Sequence, residues 1–187
     1  MNAELRQLAD EYWEYVLETG PSTAHMNGDY RYMDRIEDAS RAGEDADIAA
    51  RRAFAMRARS FDPATLSPAD QVTRETLIFE CESTAGVSEM HAAEFGVDPI
   101  FGVQAVYPVM IPQMTVETAE HAEKMLDKYR AVAVQIDQLT DRLREGVAAG
   151  RVNAQFAVDG TVAQLDEILS SDLDDDAFLT AQMPADY

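Results

Sequence analysis

The sequence predicts an all-α protein, a multi-helix bundle with one long central helix at about residues 115–149. Two observations carry this. Apolar residues recur at spacings of three and four almost throughout, the period of a helix with one apolar face. The intervals carry stop and start signals such as Gly20-Pro21, Ser67-Pro68 and Gly150.

Leu5, Leu8, Tyr12, Tyr15 and Val16 mark a first helix over about 2–19, which Gly20-Pro21 ends. Asn27-Gly28 is a turn signal, and the polar run Gly28-Asp29-Tyr30-Arg31-Tyr32-Met33-Asp34-Arg35 reads as loop. An Ala/Arg-rich stretch at about 44–60 favours helix because those residues lose little on ordering. Ser67-Pro68-Ala69-Asp70 supplies a hydroxyl cap, a proline at the first helical position and a first-turn carboxylate. The helix it opens reaches about Phe95 and places Val72, Thr76, Phe79, Ser83, Gly86 and Met90 on one face.

Residues 96–114 break the pattern. Phe101 to Ile111 carries no charge, and Pro108 and Pro112 argue against a central strand. A long uncharged loop packed on the helices, of the kind that lines clefts, is the expectation. Thr115 is the expected cap of the long helix. Its seam Ala122, Met125, Tyr129, Val132, Ile136, Leu139 and Leu143 alternates at three and four without a miss. Such a helix is about 50 Å long, more than the roughly 30 Å of a small domain. A last helix at about 154–169 should turn Phe156, Val158, Val162, Leu165 and Ile168 or Leu169 inward.

Composition excludes several function classes. Fifteen basic residues against 35 acidic ones give a net charge of −20. No basic patch offers itself to a phosphate backbone, and an anionic membrane surface would repel the chain. The single cysteine, Cys81, excludes an internal disulfide and any CxxC site. No stretch approaches the roughly 18 apolar residues of a membrane span, and residues 1–6 lack the basic-then-apolar order of a signal peptide. A cytoplasmic protein that meets neither nucleic acid nor membrane is expected.

No self-sufficient active site is legible. His91 and Glu94 lie one turn apart, but no third ligand converges and H-E-x-x-H is absent. A helix-end histidine beside its carboxylate is the simpler reading. Asp172 to Asp176 lacks the glycine and closing glutamate of a calcium loop and reads as a linker or helix start capped by Asp174. Ser22, Thr23 and Cys81 have no base at a recognisable spacing. The 28–35 run could line a polar cleft or pin itself down by salt bridges. Asp29, Tyr30, Arg31, Asp34 and Arg35, with Phe101 and Gln104 from the uncharged run, are the cleft-wall candidates. No catalytic or metal-binding residue is assigned.

An ordered set of segments resembles one family. It comprises Tyr12 and Tyr15, then Pro21-Ser22-Thr23-Ala24, Gly28-Asp29-Tyr30-Arg31-Tyr32, Asp34-Arg35 and Asp38-Ala39-Ser40. Leu66-Ser67-Pro68-Ala69-Asp70, Thr118-Ala119-Glu120-His121-Ala122 and Leu143-Arg144-Glu145-Gly146 through Gly150-Arg151-Val152 follow. Together these resemble the bacterial proteins grouped as domain of unknown function 885, which are often described as metal-dependent carboxypeptidases. Asn153-Ala154 departs from the family, where a proline is expected.

The resemblance implies a helical, zincin-like architecture about three times this length, with its H-E-x-x-H zinc helix in the C-terminal half. Residues 1–187 would then be a single helical unit, an incomplete part of a longer domain. It would form a wall of the substrate cleft without being catalytic alone. Zinc is expected in the other half and not in this chain. The expected partners are the C-terminal half or a second copy, with a peptide as substrate. The alternative is a stand-alone helical module that homodimerises through the 122–143 seam.

Overall fold

The computed structural model describes residues 2–176 and 178. Those residues form seven α-helices and no strand: α1 (Ala3–Thr19), α2 (Pro21–Met26), α3 (Arg41–Arg59), α4 (Pro68–Glu89), α5 (Val103–Met110), α6 (Ala119–Ala148) and α7 (Gln155–Ser170). No helix among them is long and apolar enough to cross a membrane. The all-α expectation holds, as does the long helix.

Local chemistry explains the boundaries. The Asn2 side chain accepts from the amides of Glu4 and Leu5 and caps α1. The Ser40 hydroxyl accepts from Gly43 N, so α3 begins three residues before the expected Glu44. Ser67 caps α4 as expected, accepting from Asp70 N. Thr118 takes the place expected of Thr115 and caps α6 through His121 N. Asn27-Gly28 is a helix stop: Gly28 has φ +80°, Asp29 N donates to Ala24 O, and Gly28 N donates to His25 O. The helix it ends, α2, spans six residues, too few to show a period. Gly150 closes α6 in the same way, with Arg151 N donating to Gly146 O at 2.8 Å.

Two segments differ from the sequence reading. α4 stops at Glu89 and not near Phe95, because His91 takes a left-handed φ of +59°. The reversal feeds a short 3-10 turn, Ala92–Phe95, that carries Glu94 into the interior. The expected loop at 96–114 contains α5. Pro108 sits in its last turns, where the missing N–H removes one bond, to the Gln104 carbonyl. Burial of Tyr107 within α5 and of Ile111 just after it offsets that loss.

α3 packs along α4, and Leu8 of α1 closes a core with Ala55, Ala58, Leu77, Ile78 and Cys81. The 72–90 stripe of α4 therefore points outward: Val72 is 66%, Phe79 67% and Met90 69% exposed. A second core joins Met33, Met114, Val116, Ala122 and Met125, and a third joins Tyr107, Ile111 and Val132. The first half of the α6 seam is thus buried within the chain. Its second half, Ile136, Leu139 and Leu143, faces a groove beside α5 and α7. Of the α7 residues expected inward, Phe156 and Leu169 lie outside at 76% and 83% exposure. Val158, Val162, Leu165 and Ile168 line the groove.

Periodicity alone did not reveal a polar ladder on α6. Lys128, Gln135 and Arg142, seven residues apart, are all buried. The first two face segment 33–40, while Arg142 turns into a cluster of glutamates. Lys128 Nζ donates to Arg35 O at 2.5 Å, Gln135 Nε2 donates to Glu37 O at 2.9 Å, and Gln138 Oε1 accepts from Ala39 N at 3.0 Å. Backbone groups that no strand partner satisfies are satisfied here by side chains.

Candidate functional site

Three features hold the chain's chemistry, and the sequence candidates divide between two of them.

The loop after α2 is an ion-pair network. Asp29 accepts from Arg31 N and holds the Arg31 guanidinium at 2.6 Å, while Glu14 of α1 takes the other Arg31 nitrogen at 2.8 Å. Arg31 keeps the Asp29 carboxyl below the usual carboxylate range. The Arg31 and Arg35 guanidinium groups flank the Tyr32 ring at 5.2 and 5.6 Å. Tyr30 packs between the His25 and His121 rings and donates its hydroxyl to Glu117. Asp34 pairs with Arg35 at 3.9 Å. These contacts pin the loop to α1, α2 and α6. Arg35 also borders a cavity of about 860 Å³ between α1 and α3, together with Glu37, Asp38, Asp47 and Arg51.

The second feature is a buried hub. Glu94 is fully buried and receives Arg41 Nη2 and Arg151 Nε at 2.5 Å each, with His91 Nδ1 at 3.2 Å. Arg142, 1% exposed at its side chain, lies 3.9 Å from Glu94 and bonds Glu44 and Glu145. Arg41 reaches the same two glutamates, at 2.7 and 2.8 Å. Three arginines thus balance three glutamates. Hydrogen bonds from Arg151 and Arg41 hold the Glu94 carboxyl down at about 2, against the opposing cost of burial. Asn153, in place of the expected proline, donates its amide to Glu94 O and accepts from Val97 N. The hub ties α3, α6 and the turn after α4 into one body. The sequence reading saw only its His91–Glu94 edge, and that pair is the helix-end contact expected.

The third feature is the groove between α5, α6 and α7, about 670 Å³ in volume. Phe101, Tyr107, Ile136, Leu143, Val162 and Leu165 give it an apolar lining. Phe101 is 80% exposed at its mouth. Gln104 is its polar marker: the amide nitrogen donates to Asp98 O at 2.8 Å and to Gln164 Oε1 at 3.0 Å. Phe178 closes one end, packed edge-on against Tyr129 at 5.1 Å, while Tyr129 Oη donates to its carbonyl. Phe101 and Gln104 therefore share a cavity, and the five candidates of the 28–35 loop do not line it.

Among the described residues no three His, Cys, Asp or Glu side chains converge to hold a metal. His25 Nε2 donates to Thr115 O, His91 is on Glu94, and Cys81 is a buried, lone thiol. The acidic run ending at Asp176 forms a 3-10 turn, Leu173–Asp175. No set of side chains among the described residues fits a zinc site.

Fold and site together define an all-α scaffold with a charged internal hub and an open apolar groove. The chain belongs to the family described as bacterial protein of unknown function (DUF885), whose model matches residues 21–186. No curated protein sequence and no solved structure matches it.

Proposed function

We propose that residues 1–187 form a helical unit that walls the substrate cleft of a larger peptidase-like protein and hydrolyses nothing alone. Zinc belongs to the partner half in this reading. The observation that carries it is the α5–α6–α7 groove. An apolar cleft of several hundred Å³ with a few fixed polar groups is the usual form of a ligand site. It suits apolar side chains of a peptide, with Gln104 and Thr161 at its polar edge. The alternative, dimerisation through 122–143, is left with Ile136, Leu139 and Leu143, since Ala122, Met125 and Val132 are buried within the chain and Tyr129 is half-buried against the same cores.

A blocked apolar peptide titrated into the 15N-labelled chain tests the reading. Shifts clustered at Phe101, Gln104 and Val162, weakened in Leu165→Glu, are expected. No binding at millimolar peptide, or stoichiometric zinc with peptidase activity in the isolated chain, would overturn it.

A further inference from the structure

The outer face of α4 carries Val72, Thr76, Phe79, Ser83, Gly86 and Met90 at alternating spacings of four and three. This is the heptad seam of a helix packed against another helix. The inner face of α4, with Leu77, Ile78, Cys81 and Ala85, already serves the core on the opposite side. The stripe is therefore surplus to the fold of the single chain. A Cβ built on Gly86 meets nothing within 4 Å, so no contact inside the chain calls for glycine there.

We infer that this face of α4 is a self-association surface, on which α4 of a second copy packs antiparallel about a two-fold axis that crosses the stripe at the level of position 81. The size order of the seam supports a second copy over an unrelated helix. A two-fold contact requires that i meet j and j meet i. Centred on 81, the axis sets Phe79 against Ser83, Thr76 against Gly86 and Val72 against Met90. Phe79 thus meets a small residue, and Gly86 gives Thr76 room.

The flank agrees. On one side of the seam, Glu75, Glu82 and Glu89 are each paired within the chain, to Arg74, Arg59 and Arg52 respectively. Two copies can then approach without setting unneutralised carboxylates against each other on that side. Met56, 68% exposed, lies on the α3 stripe between Arg52 and Arg59 and widens the apolar patch. The product is a four-helix bundle of two α3–α4 hairpins. A hairpin face about 28 Å long and 20 Å wide gives a footprint of roughly 560 Å² per copy. That is near the low end of specific interfaces, so a weak, reversible dimer is the expected form. Glu80 opposes it: exposed and outside those ion pairs, it meets its own copy near the axis.

Sedimentation equilibrium of the full chain from about 1 to 500 µM, a range that brackets a weak dimer, is the test. The wild type should shift from monomer to dimer within that range, and more readily in high salt. Phe79→Glu should weaken the dimer about tenfold or more, with unchanged circular dichroism because Phe79 is outside the core. Glu80→Gln should tighten it. Gly86→Leu separates the readings: it should raise the Tm of the monomer while weakening the dimer. A wild type that stays monomeric throughout in high salt, or a dimer indifferent to Phe79→Glu and Gly86→Leu, overturns the inference. A dimer broken by Leu139→Glu and not by Phe79→Glu would return it to the α6 seam and equally overturn it.

Discussion

Gly146 of α6 lies against Glu94: a Cβ added at position 146 would stand 2.9 Å from the Glu94 Cβ and 3.0 Å from Arg151 O. The glycine admits the turn that delivers the buried carboxylate, and its own carbonyl receives Arg151 N. The residue before it, Glu145, shares Arg41 with Glu94, and Arg151, five residues after it, pairs with Glu94 directly.

Glycine-to-alanine substitutions should therefore change sign along the chain. In an open helical position alanine gains about 1 kcal/mol, and Gly86→Ala should show that gain. Gly146→Ala forces a shift in a packed hub and should lose about 1–2 kcal/mol net. Urea unfolding of the two variants, with matched slopes, checks the pair.

The Glu94 carboxyl, held at about 2 in the folded state against an ordinary 4.5, makes acid destabilising. Between those values the unfolded chain binds more protons, so stability is present above pH 4.5 and is lost as pH falls toward 2. Glu94→Gln should be less stable at pH 7 and should lose less than the wild type over that window. Parallel slopes for the two proteins between pH 4.5 and 2 would count against the hub.

Lys128 acts at the other end of the scale. Burial pushes its amine down to about 8 from 10.5, with Glu37 and Asp34 pulling weakly the other way. The unfolded chain binds more protons between 8 and 10.5, so the cost of the buried charge is relieved as pH rises through that window. The wild type should gain about 3 kcal/mol on Lys128→Met between pH 7 and 10.5. Thermal melts at both pH values measure the change in the difference.

Arg142 is buried among Glu44, Glu94 and Glu145. Arg142→Ala leaves carboxylates without their cation and should cost about 3 kcal/mol. Arg144→Ala, one turn from exposed Asp141, should cost under about 1 kcal/mol. Equal losses in denaturant titrations would mean that burial of Arg142 does not set its role.

The helices were legible because caps and period act locally. Ser67, Gly150 and the three-four spacing of α6 each declare themselves within one or two turns of chain. What was not legible depends on partners far away in sequence. Pro108 reads as a breaker until Tyr107 and Ile111 are seen to be buried around it. Phe156 reads as core because a period does not say which way it points. Arg41 and Glu94 become a site only across 53 residues. The sequence carried two partial signals of it: the one-turn spacing of His91 and Glu94, and Arg142 as the third of three polar residues at heptad spacing beside an apolar seam.

That ladder also bears on alignment. An apolar seam repeating every seven residues tolerates a slip by one repeat at modest loss, since one aliphatic side chain replaces another. The polar rungs share the spacing but differ in kind. The same slip would set Lys128 where Gln135 meets the Glu37 carbonyl, and would leave Gln135 uncharged among the glutamates that Arg142 neutralises. The rungs work like the wards of a key, admitting one axial setting of α6 against segment 33–40 and rejecting the next.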